Sequence, residues 1–141
     1  MHDLVSVVIP TYNREEVYKS VESALEQTYE NIEVIVVDDC SETPAEEKLS
    51  HIEDERLTVL RHQQNKNGAA ARNTGIDEAE GDYIAFLDDE ERWKPRKVEK
   101  QVEEMKEKEC RACYTWAESR YKNKTEILKA YEEGDITEEL L

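Results

Sequence analysis

Two short runs, VSVVIP at residues 5–10 and IEVIVV at 32–37, constrain this chain more than any other feature. Each is nearly all apolar and rich in Val and Ile. Each is too short for a core helix and lacks the strict polar alternation of a strand with one wet face. Such runs read as strands buried on both sides, Leu4–Pro10 and Ile32–Val37, as in a parallel sheet covered by helices. Between them, Val17, Val21, Ala24 and Leu25 recur at helical spacing, so a helix is expected from Arg14 to about Thr28.

The alternation continues. Pro44 suits the first turn of a second helix, where its missing N–H does no harm, and that helix is expected to reach about Ser50. Arg56–Arg61 reads as a third strand, Gly68 to about Ala79 as an Ala-rich helix, and Tyr83–Leu87 as a fourth strand. Pro95 opens a charged helix to about Lys108, with Val98, Val102 and Met105 as a narrow apolar stripe. Beyond it, Arg111–Ala117 is expected to be a strand. Ile127, Leu128 and Tyr131 suggest a short helix, followed by an amphipathic piece after Gly134. Strands alternating with helices imply βαβ units, so the expected fold is α/β, a Rossmann-like, mostly parallel sheet flanked by helices. The 141 residues suffice for one domain.

A parallel sheet binds ligands at the carboxyl ends of its strands. Thr11-Tyr12-Asn13, Asp38-Asp39 and the four acids Asp88–Glu91 all follow such ends, so the topology gathers them on one rim. Two acidic clusters on one rim suit a hard divalent cation, which takes oxygen ligands; Mg²⁺ commonly uses one or two carboxylates plus substrate phosphates. Tyr12 offers a ring face to a base, and Arg72 a planar fork to a phosphate. Each residue also has a structural use. Asp38 and Asp39 suit an Asx turn or a helix cap, Arg72 a surface ion pair, Tyr12 packing, and Asp88–Glu91 a solvated turn.

Other classes are disfavoured. No Walker-type loop or GxGxxG is present. A formal net charge of −16 lacks the basic footprint that nucleic acid or an anionic membrane requires. No apolar run approaches the roughly 20 residues of a membrane span, and MHDLVSVV lacks the pattern of a signal peptide. Cys110 and Cys113 have no second pair for a zinc ribbon and are expected to be ordinary thiols in a partly buried strand. An odd count of three cysteines points to a reducing, cytoplasmic setting. His2, His51 and His62 are scattered without ligand spacing and receive no role. A receiver-like phosphoacceptor domain would want its acidic pair after the first strand, where this chain has PTYN.

The stretches VSVVIPTYNR (5–14), ALEQTYENIEVIVVDDCS (24–41), AARNTGIDEAEGDYIAFLDDE (70–90) and WKPRK (93–97) together cover most of residues 4–100. In order and spacing they resemble the N-terminal half of family 2 glycosyltransferases, which have the GT-A nucleotide-diphospho-sugar transferase fold. The resemblance implies a donor-binding half-domain across residues 1–141, with the acceptor half absent. It would bind a nucleotide-sugar, a UDP-sugar above all, with Mg²⁺ or Mn²⁺, for transfer to an acceptor hydroxyl of a saccharide, lipid or protein. By position, Pro10, Thr11 and Tyr12 match the segment against the base and ribose, and Asp39 the residue that hydrogen-bonds the base. Arg72 matches the arginine near the donor. Asp88, Asp89 and Glu90 fall at the D-x-D position, Asp88 and Glu90 holding the metal.

Two departures stand out. Glu90 occupies a position where the family usually carries aspartate, one methylene shorter. The chain also ends where the acceptor half and its general base would begin, so no residue is assigned as catalytic base. The alternative is a non-catalytic nucleotide-sugar-binding or regulatory module. A missing half implies an uncovered apolar face that favours a homodimer, and a missing region that brings the domain to a membrane surface.

Overall fold

A computed structural model describes residues 3–115, 117–121 and 124–128. The described residues divide into two compact units, one up to Lys100 and one from Gln101 on. In the first, β1 (Val5–Thr11), β2 (Ile32–Asp38), β3 (Leu57–Arg61) and β4 (Tyr83–Phe86) make one parallel sheet in the order β3-β2-β1-β4. Helices α1 (Val17–Leu25), α2 (Ala45–Lys48) and α3 (Gly68–Glu78) fill the connections. The expected α/β class therefore holds.

Every residue of β1 is buried, as are all of β2 except Glu33. The pairing Val8↔Ile35 and Pro10↔Val37 puts these residues on one face. Ile35 and Val37 cluster there with Ala71 of α3, and Leu60 and Ala79 pack against the cluster. Val7, Ile9, Val34 and Val36 point the other way and are fully buried. Helix α1 also packs on β1 and β2, burying Val17, Val21 and Ala24.

The connection order fixes where a ligand belongs. β1, β2 and β3 progress in one direction, and α3 then carries the chain back to the far side of β1. The progression reverses between β1 and β4, which opens a crevice at their carboxyl ends.

Gly75 lets α3 lie against the centre of the sheet. A Cβ built there falls 2.3 Å from Val8 Cγ1, and Val8 is fully buried in β1. Gly75→Ala is thus expected to destabilise by about 1–3 kcal/mol through overpacking. Urea denaturation would measure it, and adding Val8→Ala should recover part of the loss.

Helix boundaries are tighter than periodicity suggests. α1 ends at Leu25 because the chain beyond it bonds elsewhere: Thr28 N–H donates to Pro95 O at 2.9 Å, and Gln27 Nε2 donates to Lys94 O. α2 is a single turn with Pro44 at its N-cap rather than a helix to Ser50. α4 (Lys97–Glu107) matches the charged helix expected after Pro95.

The second unit departs from expectation. Residues 111–115 form no strand, so Cys110 and Cys113 lie outside one; both are free thiols, as is Cys40. Instead β5 (Ala117–Tyr121) pairs antiparallel with β6 (Lys124–Leu128). Ile127 and Leu128, expected in a helix, belong to β6. Tyr131 and the amphipathic piece after Gly134 lie outside the described residues. A two-stranded ribbon of AESRY and KTEIL carries no apolar alternation that would announce it.

Candidate functional site

A pocket of about 270 Å³ lies at the carboxyl ends of β1 and β4. Pro10, Thr11, Tyr12, Asp39, Arg72, Asp88, Asp89 and Glu90 all border it, whereas Asn13, Asp38 and Glu91 of the same rim clusters are not among its lining residues. Arg14, Gly68 and Ala71 complete the lining.

The acids after β4 sit on a rail supplied by α1. Buried Ser20 donates its hydroxyl to Glu91 O at 2.6 Å, and Ser23 Oγ accepts from Trp93 N–H at 3.2 Å. Gln27 Oε1 accepts from Val98 N–H at the start of α4. This backbone anchoring holds four adjacent acids in place despite their mutual repulsion.

Two arginines offset that repulsion. Arg72 Nη2 lies 2.7 Å from Asp88 Oδ1. Arg14 spans two acids, with Nε 3.3 Å from Asp89 and Nη2 3.2 Å from Glu90. Thr11 donates its hydroxyl to Asp89 Oδ2 at 2.7 Å. Burial, reinforced by the charges of Asp88 and Glu90, pushes the Glu91 carboxyl above its usual range. Arg14 was not singled out from the sequence, although it directly follows PTYN. Its position one residue past a turn gave no sign that it would reach across to the β4 loop.

The acidic pair after β2 divides into two roles. Asp38 is 1% exposed. Its Oδ1 accepts from Ser41 N–H, and its Oδ2 from Ala45 N–H at the start of α2 and from Arg61 Nη1 at 2.6 Å. Burial pushes its carboxyl up, but the bonds from Ser41 and Ala45 and the Arg61 charge outweigh burial and hold it below the usual range. Of the two uses open to it, Asp38 takes the structural one, capping and cross-linking.

Asp39 borders the pocket and is 2% exposed. Its Oδ1 accepts from Lys66 N–H at 2.8 Å and meets His62 Nδ1 at 2.7 Å, while its Oδ2 accepts from Asn67 N–H at 2.8 Å. Burial again acts upward, and these three partners together hold the carboxyl below its ordinary value. Asp39 thus ties the loop before α3 to the end of β2. Asn67 then caps α3, its side chain accepting from Ala69 and Ala70 N–H. Asn13, Cys40 and Asn67, all in rim loops, have φ of 52°, 69° and 80°, in the left-handed region that non-glycine residues seldom adopt.

Tyr12 leaves a large ring 52% exposed at the pocket. A solvent-facing aromatic beside a polar cleft suits stacking on a planar ligand.

Asp88 and Glu90 are the carboxylates that the D-x-D resemblance singles out for a divalent cation. Among the described residues no three His, Cys, Asp or Glu side chains are already gathered for a metal. The donor chemistry nevertheless fits: both are hard oxygen donors, 48% and 65% exposed. Mg²⁺ needs only one or two carboxylates when phosphate oxygens complete its shell.

Known proteins share this architecture and sequence. The family profile described as "Glycosyl transferase family 2" matches residues 6–140. The chain is 40% identical over 104 residues to WfaP of Escherichia coli, a UDP-Glc:alpha-D-GlcNAc-diphosphoundecaprenol beta-1,3-glucosyltransferase, covering 73% of this chain and 41% of that protein. Residues 1–349 of Staphylococcus aureus TarS, solved with UDP-GlcNAc, superpose with a TM-score of 0.67 at 26% identity, covering 73% of this chain and 31% of that one. A Pyrobaculum calidifontis mannosyltransferase, PcManGT, solved with GDP-Man and Mn²⁺, gives a TM-score of 0.60 at 26% identity, covering 68% and 30%. The chain spans less than half the length of the curated relatives it matches. A sheet of this topology, a site at its switch point and a family match over nearly the whole sequence lead to one assignment: the chain belongs to glycosyltransferase family 2 and has the GT-A fold.

Proposed function

We propose that this chain is the donor-binding half of a glycosyltransferase, taking a UDP-sugar with Mg²⁺ or Mn²⁺ in the pocket between β1 and β4. The observation that carries the reading is the convergence there of an exposed aromatic ring, two arginines and four carboxylates from separate segments. The relatives' donors, a UDP-sugar for WfaP and UDP-GlcNAc in TarS, support it.

In this reading Tyr12 faces the base, Asp39 accepts a hydrogen bond from it, and Thr11 and Asp89 lie toward the ribose. Arg72 and the N-terminal turn of α3, at Gly68, meet the diphosphate, where the helix dipole also favours negative charge. Asp88 and Glu90 would hold the metal ion, which offsets charge on the leaving diphosphate. Transfer forms a bond from the acceptor oxygen to the anomeric carbon and breaks the bond to the nucleoside diphosphate, with inversion. The acceptor proton passes to a base supplied from outside the residues assigned here.

Glu90 is the residue to test. Its extra methylene lets it reach Arg14, which competes with a cation for the same oxygens. Glu90→Asp is expected to tighten Mn²⁺-dependent UDP binding several-fold, as measured by calorimetric titration with UDP and GDP and their sugars, with and without Mn²⁺. Unchanged or weaker binding would remove Glu90 from the metal site. Absence of nucleotide binding under every condition would end the donor-site reading.

A further inference from the structure

We propose that His62 is a positioning residue for base selection: buried between Asp39 and Thr74, it fixes the Asp39 carboxylate so that a single acceptor position faces the site, which favours uridine over guanosine nucleotides. The inference rests on the donor-site reading above and adds to it a residue that touches no ligand.

The imidazole is 8% exposed, and both ring nitrogens are engaged. Nδ1 lies 2.7 Å from Asp39 Oδ1, and Nε2 lies 2.8 Å from the Thr74 hydroxyl. An ionised carboxylate only accepts, so Nδ1 must carry the proton. The backbone of His62 is anchored by its N–H donating to Asp38 O, and the ring is held at both nitrogens, with Thr74 fixed on α3, its hydroxyl within 3.1 Å of Ala70 O.

The count of acceptor positions follows. A carboxylate offers about four lone-pair sites. His62 and Lys66 N–H take both positions on Oδ1, and Asn67 N–H takes one on Oδ2. One position on Oδ2 is left at the pocket. Uracil presents one ring N–H between two carbonyls, which a single acceptor satisfies. Guanine presents an N–H and an amino group side by side, which need two. A donor left unpaired in a buried contact costs about 1–3 kcal/mol, so the occupancy of Oδ1 becomes a filter.

The test is calorimetric titration of the full chain with UDP, GDP and inorganic pyrophosphate in Mg²⁺, for the wild type, His62→Phe and His62→Asn. Phenylalanine keeps the ring volume without a donor, whereas asparagine places an N–H near the position of Nδ1. The wild type is expected to prefer UDP. In His62→Phe, UDP affinity should fall about tenfold or more and the UDP-to-GDP preference should approach one, with pyrophosphate affinity unchanged. His62→Asn should restore the preference. Should His62→Phe fail to fold, Thr74→Val, which frees Nε2 alone, is expected to erode the preference in the same direction. An unaltered preference in a folded His62→Phe or Thr74→Val variant overturns the role of His62 alone, as does a wild-type preference for GDP. A wild type that binds pyrophosphate but neither nucleotide overturns the donor-site reading along with it.

Discussion

Asp38→Ala is expected to destabilise the fold by about 2–5 kcal/mol, read as a lowered urea midpoint at neutral pH. The size follows from what the carboxylate holds. Ser41 and Ala45 are buried, and their N–H groups would lose their acceptor without gaining water. Arg61 would lose its carboxylate partner as well, but it keeps its bond to Ser41 O and its side chain is 37% exposed, so it adds less. Asp38→Asn should fall between wild type and Ala, because one oxygen remains and the new amide group faces a donor.

The same residue makes a pH prediction with a definite sign. Asp38 and Asp39 both titrate below their unfolded range. Their contribution to stability is therefore complete above about pH 4, the ordinary aspartate value, and disappears as pH falls through the lower folded values. The stability gap between wild type and Asp38→Asn should narrow along that acid limb. A gap that stayed constant below pH 4 would mean that the Asp38 charge contributes nothing to stability.

Arg72→Ala is expected to weaken binding of a nucleoside diphosphate about 10–100-fold, the usual range for losing a charge-assisted hydrogen bond to phosphate. The side chain is 39% exposed and pairs with an exposed Asp88, so its removal should leave the urea midpoint nearly unchanged. Arg72→Lys should recover only part of the affinity, since an ammonium cannot reproduce the planar fork. Uridine itself, lacking the diphosphate, should bind the wild type and Arg72→Ala alike. Equal loss for uridine and UDP would place Arg72 away from the phosphates.

The sheet was legible because its two central strands, β1 and β2, are buried on both sides. VSVVIP and IEVIVV carry one polar residue each, Ser6 and Glu33, too few to impose an alternation, and the crossovers between parallel strands are usually helical. The rim followed from topology, which sends Thr11, Asp39 and Asp88 to one end whatever their separation in sequence. What remained hidden depends on partners far along the chain. His62 meets Asp39 and Thr74, 23 and 12 residues away, and no local spacing announces such a bridge. Arg14 acquires its place only when the β4 loop, 75 residues on, arrives beside it. The β5–β6 ribbon was misread for a related reason. Its two strands owe their conformation to pairing with each other, while Ile127, Leu128 and Tyr131 by themselves mimic a helical stripe in the sequence.

The left-handed residues on the rim carry a consequence for how a ligand is received. Asn13 N–H donates to Ser41 Oγ, and Asn13 Oδ1 accepts from Glu42 N–H, which ties the loop after β1 to the loop after β2. Asn67 N–H ties the loop before α3 to Asp39. Three loops that would otherwise fluctuate independently are thus cross-braced, in backbone conformations that neighbouring contacts must impose. Their ordering has already been met by folding, so an incoming ligand loses mainly its own freedom on binding. Affinity here should depend on how rigid the ligand is rather than on how readily the protein closes around it.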